Sequence, residues 1–130
     1  MTTAARDEQR ALARPRIWRV TDRATFRELR RRGRRARSGP VAVTWLAPDP
    51  SEMPTPPRVA FATGRAVGAS VRRNRVRRRL RAALRELQGQ GRLPGGSYLL
   101  AGSAEVARMP WPDLVAAVGE AVDAATAVAA

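Results

Sequence analysis

The chain has 130 residues, with 25 basic against 11 acidic side chains and a formal net charge of +14; every cation is Arg, and neither Cys nor His occurs. That composition excludes a disulfide framework, a Cys/His zinc site, nucleophilic catalysis by Cys or by a Ser/His pair, and any nuclease that uses paired His as acid and base. It favours one domain large enough to bury a core, in an intracellular protein whose partner is a polyanion.

Met1 to Arg16 carries charges of both signs, with no clean periodicity and no apolar run. It reads as a disordered tail over residues 1–15, not as a signal peptide. A single domain is expected over 16–125, and the last residues, 126–130, are expected to fray. Thr21 is the expected N-cap of a short helix, roughly Asp22 to Arg32, with Phe26 and Leu29 on one face and Gly33 as its stop. Val41 to Leu46 reads as a strand with Val41, Val43 and Trp45 on one side, and Arg35 to Arg37 can add a short strand before it.

Residues 47–57 contain five Pro and form a solvated connection. Arg58 to Thr63 is a further strand, with Val59 and Phe61 opposite Ala60 and Ala62. Gly64 and Gly68 bracket a turn. The strongest helix follows: Val76, Leu80, Ala83, Leu84 and Leu87 make a single apolar stripe, ended by Gln88 to Gly91. Ser97 to Ala101 is a short buried strand. Pro112 opens a last helix, striped by Leu114 or Val115, Val118, Val122 and Ala125. The fold class is α+β, an α/β sandwich with three helices on one mixed sheet of three to four strands, in the order α-β-β(-β)-α-β-α. No apolar run approaches the roughly 18 residues of a membrane span, so no membrane partner is expected, and the expected location is the cytoplasm.

The charge sits in two blocks. Arg23 to Arg37 holds eight Arg and one acid, and Arg65 to Arg92 holds ten Arg and one acid. Leu93 to Ala130 holds one Arg, Arg108, against four acids. A GC-rich genome exchanges Lys for Arg but does not create a net +14, and the ten like charges of the second block repel without a counter-charge. On a helical wheel the apolar stripe leaves Asn74, Arg78, Arg81 and Arg85 on the opposite face. Arg75 and Arg79 flank one edge and Arg77 the other, while Arg73 reaches sideways from the first turn. Guanidinium forks grip phosphate, and a helix N-terminus offers it free N–H groups. Asn74 is a neutral amide among cations. It can donate to phosphate or a 2′-OH, accept from a base edge, coordinate a hydrated metal, or be a surface amide with no role.

The stretch from Arg58 to Leu84, RVAFATGRAVGASVRRNRVRRRLRAAL, resembles the signature of the bacterial ribonuclease P protein family: a strand, a basic residue, a Gly, then Arg-Asn-Arg opening an arginine-rich helix. Arg73-Asn74-Arg75 matches the motif, Gly68 its Gly, Arg65 the basic position before it, and Arg78 and Arg81 later basic positions. Phe26 to Gly33 resembles the family's first helix, and Tyr98 with the apolar residues after it the last strand. In all, about Arg16 to Val122 fits.

The resemblance implies a protein subunit that binds the catalytic RNA of ribonuclease P and the 5′ leader of precursor tRNA, with no obligate protein partner evident. It implies Mg²⁺-dependent endonucleolytic release of the leader, performed by the RNA, and no catalytic protein residue. Mg²⁺ would be held mainly by the RNA, with Asn74 a candidate contact through RNA-bound Mg²⁺. By the same resemblance Arg65, Arg72, Arg73, Asn74, Arg75, Arg77, Arg78 and Arg81 face the RNA subunit. A cleft between the first helix and the sheet, with Phe26, Arg30 and Thr44, receives the leader. A left-handed βαβ crossover is also implied, against the usual rule.

The chain departs from the family pattern in three places. Arg30 stands where a second aromatic is usual, Thr44 where the strand usually has an aromatic, and Gly102-Ser103 where a basic residue usually follows the last strand. Leader binding is therefore expected to rest more on Arg charge and less on stacking. The alternative is a ribosomal-protein-like, structural RNA-binding role. A helix-turn-helix DNA binder is disfavoured because a strand and a Gly-rich turn, not a helix, precede the basic helix. An independent protein nuclease has no candidate acid or base near that helix except Glu86.

Overall fold

The computed structural model describes residues 18–20, 22–52, 56–64 and 67–127. In chain order these form β1 (Trp18–Arg19), α1 (Arg23–Arg32), β2 (Arg34–Ser38), β3 (Val41–Leu46), β4 (Pro57–Ala62), α2 (Ser70–Gly89), β5 (Gly96–Gly102) and α3 (Trp111–Thr126), with 3-10 turns at Pro50–Glu52 and Ala104–Ala107. The expected class holds: three helices on one mixed sheet. The sheet has five strands, in the order β1-β4-β5-β3-β2, because β1 adds a two-residue edge beside β4 that the periodicity did not announce. The short strand foreseen around Arg35 to Arg37 is β2.

The β1/β4 and β4/β5 pairs are parallel, and the other two are antiparallel. Adjacent parallel strands need a crossover, which α2 supplies between β4 and β5. Pro57 is the first residue of β4, where a missing N–H is tolerated.

Strand parity gives the sheet two unlike faces. Val43, Leu100 and Phe61 lie in one rank, and Trp45, Tyr98 and Val59 in the next. Against that face pack Val76, Leu80, Ala83, Leu84 and Leu87 of α2, the stripe read from the sequence, and Leu114, Val118, Val122 and Ala125 of α3. Trp45 Nε1 donates to the Gly95 carbonyl at 3.1 Å, and the Tyr98 hydroxyl to that of Pro94, so both buried polar tips are satisfied. Burial pushes the Tyr98 phenol up, which keeps it a neutral donor. Gly96 has φ +123°, and a Cβ there would stand 2.5 Å from the Leu46 carbonyl oxygen and 2.7 Å from Trp45 Nε1. Only Gly lets β5 start under the Trp45 ring.

Among the described residues the helix that covers the second face is α1, through the fully buried Leu29. The cap of α1 is Asp22 rather than Thr21, which lies outside the described residues. Asp22 Oδ2 accepts from the Thr25 N–H at 2.9 Å and the Thr25 hydroxyl at 2.6 Å. Those two bonds hold its carboxyl below the usual Asp range. The Thr25 amide and hydroxyl both reach an Asp carboxylate at the extended position, and a residue one step earlier would be a step too far for them. The N-terminal tail expected over residues 1–15 lies outside the described residues, as does the end of the C-terminal one.

Candidate nucleic-acid interface

Gly64 accepts from the Val67 N–H at 3.1 Å, closing the turn that aims β4 into α2, and Gly68 takes φ +118° just before the helix starts. Arg72 folds back over Gly68, with its Nη1 3.2 Å from where a Cβ would stand. Ala69 caps α2 with no side-chain hydrogen bond, so its first-turn N–H groups have no capping side chain among the described residues.

The basic face of α2 divides into free and engaged guanidinium groups. Arg72, Asn74, Arg75, Arg78 and Arg85 are exposed. Arg72, Arg75 and Arg78 make no hydrogen bond or ion pair among the described residues. Arg73 is half-buried and donates to Ser70 Oγ at 3.0 Å. Arg77 bridges Asn74 Oδ1 and Thr63 Oγ1, each at 3.2 Å. Arg81 is half-buried rather than projecting, with its guanidinium 5.4 Å from the centre of the Phe61 ring. Arg65 lies outside the described residues.

Arg79 turns away from solvent. Its two terminal nitrogens donate to the carbonyls of Val106 and Met109, the latter at 2.6 Å, and so tie the 3-10 turn after β5 to α2. This is a scaffold contact, and the wheel placed Arg79 only at the edge of the stripe. The turn it holds carries Arg108 to the flank of α2. There Ala69, Val71, Arg72, Arg75, Ala104, Ala107 and Arg108 line an open groove of about 750 Å³. Arg108 was absent from the residues foreseen, although its isolation among 38 residues was a signal.

Asn74 offers its Oδ1 to Arg77, which places a cation on the oxygen that a metal would need. Among the described residues no three acidic side chains come together as a metal cage. The donors of the described residues therefore do not fit a protein-held Mg²⁺.

Of the cleft residues foreseen, Phe26 and Arg30 lie on α1 and Thr44 on β3, the two elements that meet on the second face. Phe26 and Arg30 are one helical turn apart on one flank of α1, Phe26 half-buried and Arg30 exposed. Thr44 lies on the open side of β3, touching the end of α1: a Cβ on Gly33 would stand 2.5 Å from Thr44 Cγ2. The register sets Ala62, Ala101, Ala42 and Arg37 in one rank across this face, and Ala60, Leu99, Thr44 and Arg35 in the next. Small side chains keep the floor low, and exposed Arg35 and Arg37 form its basic rim on β2. Sequence reading took these two only as strand residues, although their alternation with Ala36 aimed both at this face. The other flank of α1 shares a second hollow with Arg58, whose Nε is buried and has no partner among the described residues.

The model of the family described as Ribonuclease P matches residues 15–126. The chain is 38% identical over 113 residues to the ribonuclease P protein component of Thermobifida fusca, covering 83% of this chain and 76% of that one. It is 43% identical over 99 residues to that of a Nocardioides strain, covering 69% and 82%. Among solved structures, the ribonuclease P protein of Thermotoga maritima superposes with a TM-score of 0.68 at 19% identity, covering 82% of this chain and 96% of that one. That of Staphylococcus aureus gives 0.68 at 14%, covering 84% and 95%. With a basic helix opened by Arg73-Asn74-Arg75 on one side of the sheet and exposed Arg35 and Arg37 on the other, the chain belongs to the ribonuclease P protein family.

Proposed function

We propose that the chain, as the protein subunit of ribonuclease P, grips the RNA subunit with the first turns of α2 and holds the 5′ leader of precursor tRNA on the open face of the sheet beside α1. The observation that carries this reading is the separation of two cationic surfaces by the sheet. The α2 side presents uncapped N–H groups and free guanidinium forks at one helix end, which suits folded RNA with clustered phosphates. The α1 side is a shallow, small-residue floor with Phe26 and a rim of Arg, which suits an extended single strand. With Arg30 and Thr44 where aromatics are usual, charge supplies more of the leader affinity here.

Hydrolysis is assigned to the RNA. The chain has no His or Cys, and among the described residues the acids do not assemble a metal cage. Mg²⁺ is then held by RNA phosphates; the second lone pair of Asn74 Oδ1, beside the bond from Arg77, accepts from a Mg²⁺-bound water, and its amide N–H groups are left to donate to phosphate. No helix among the described residues is long and apolar enough to cross a membrane, and a cytoplasmic location fits an RNA partner.

The test is reconstitution: the protein is added to the cognate RNA subunit at low Mg²⁺, and leader release from precursor tRNA is followed, with the protein alone beside it. Strong stimulation without activity of the protein alone is expected. Arg75→Ala weakens assembly with the RNA. Phe26→Ala instead weakens binding of precursor tRNA and spares mature tRNA; equal loss for both tRNAs removes Phe26 from the leader cleft. No stimulation, with tight binding to other structured RNA, points to a ribosomal-protein-like role.

A further inference from the structure

The groove between α2 and the Ala104–Ala107 turn has no part in the leader cleft, which lies on the other face of the sheet. Its walls come from segments more than 25 residues apart, and both are held in place. Arg79 clamps Val106 and Met109 to α2. Gly102 lets Val106 sit where a Cβ would stand 2.9 Å from Val106 Cγ2. Arg108 N–H then bonds to the Glu105 carbonyl at 3.0 Å, so the lone cation of the last 38 residues is delivered to this rim.

Two features of the groove call for an occupant. Arg72, Arg75 and Arg108 converge on it from two elements, and none has a hydrogen-bonding or ionic partner among the described residues. Between them lies an apolar floor of Ala69, Ala104 and Ala107, with Val71 standing at 77% exposure, the most exposed large apolar side chain described. A polyphosphate surface alone explains the cations but leaves Val71 in water. A partner with an anionic backbone and a flat apolar face satisfies both. The volume, about 750 Å³, falls in the range of small-molecule clefts, roughly 300–1,000 Å³.

We propose that this groove seats one unstacked nucleotide of the ribonuclease P RNA, its phosphate held by Arg72, Arg75 and Arg108 and its base laid against Val71 and the alanines. The inference rests on the assignment of the α2 side to the RNA subunit. Arg79 is the positioning residue that fixes the Arg108 wall.

The experiment is equilibrium binding of the full chain to the transcribed RNA subunit over a salt series, with a random RNA of equal length as comparison. The variants are Arg108→Ala, Val71→Ser and Arg92→Ala, each checked for an unchanged thermal melt. Arg108→Ala is expected to weaken binding about five- to tenfold and to lower the salt slope, by less than the roughly 0.9 of one whole phosphate contact because Arg72 and Arg75 still hold it. Val71→Ser is expected to weaken it about threefold at an unchanged slope, as loss of an apolar contact does. Arg92→Ala, which removes one charge elsewhere, leaves affinity within twofold. Wild-type affinity in Arg108→Ala or in Val71→Ser, or an equal loss in Arg92→Ala, overturns the proposal. If instead the unaltered chain binds the RNA subunit no better than random RNA, it is the ribonuclease P reading that fails.

Discussion

Ten guanidinium groups between Arg65 and Arg92 look interchangeable in the sequence, and the structure gives them separate work. Arg75 and Arg78 have no partner among the described residues, Arg81 lies over Phe61, and Arg79 is a cross-brace between helix and loop. The wheel reads direction only, so it told the apolar stripe from the basic face but not which cations meet partners beyond the helix. Those partners, the carbonyls of Val106 and Met109, arrive from 27 and 30 residues away. Two charge-assisted bonds to half-buried carbonyls predict that Arg79→Ala costs about 2 kcal/mol and lowers the melting temperature by roughly 5–10 °C. Arg79→Lys recovers only part of it, because an ammonium does not present two parallel donors. Arg78→Ala, by contrast, leaves the melt unchanged or slightly raised. Calorimetry on the three variants checks this, and equal melts for Arg79→Ala and Arg78→Ala would remove the brace.

Among the elements, α1 depends on its two ends. Asp22 anchors one end through Thr25, and Gly33 brings the other against β3. Gly33 has an ordinary φ of −66°, so contact rather than backbone freedom excludes a side chain there. A Cβ would meet the Leu29 carbonyl oxygen at 2.3 Å and Thr44 Cγ2 at 2.5 Å. Gly33→Ala is therefore expected to lift the C-terminal turn of α1 off the sheet and distort the Phe26 cleft. Precursor tRNA binding should fall several-fold while affinity for the RNA subunit, read on the α2 side, is kept. Loss of both together would mean that the whole fold is disturbed, and a Thr44→Ser, Gly33→Ala double variant, which removes the clashing methyl, should restore part of the binding. The stop at Gly33 was legible in the sequence, as were the strands with clean parity. β1 was not, since two residues show no period and are strands only because Arg58 and Val59 pair with them. Likewise the Ala104–Ala107 turn has Ser103 at its cap but no bond from that side chain, and it is held by Arg79 and by the close approach at Gly102.

For the whole molecule, the governing quantity is the net charge of +14. Among the described residues only two ion pairs form, Glu28–Arg32 and Arg92–Asp123, and all four side chains are well exposed. Exposed pairs contribute at most about 1 kcal/mol each. Self-repulsion between the remaining Arg is thus opposed mainly by solvent ions, and a compact state under such repulsion gains stability from any anion it binds. Chloride screens the charge without choosing a site, whereas sulfate can also sit between convergent guanidinium forks. At equal ionic strength, sodium sulfate is expected to raise the melting temperature above the value in sodium chloride. An Arg75→Ala, Arg78→Ala double variant separates the two contributions, because their signs differ. With two fewer like charges it should melt higher than the unaltered chain in low salt, yet gain less from sulfate. If the variant gains as much from sulfate as the unaltered chain does, anions do not gather on the exposed face of α2. If it melts lower in low salt, repulsion along that helix is not what limits the free protein.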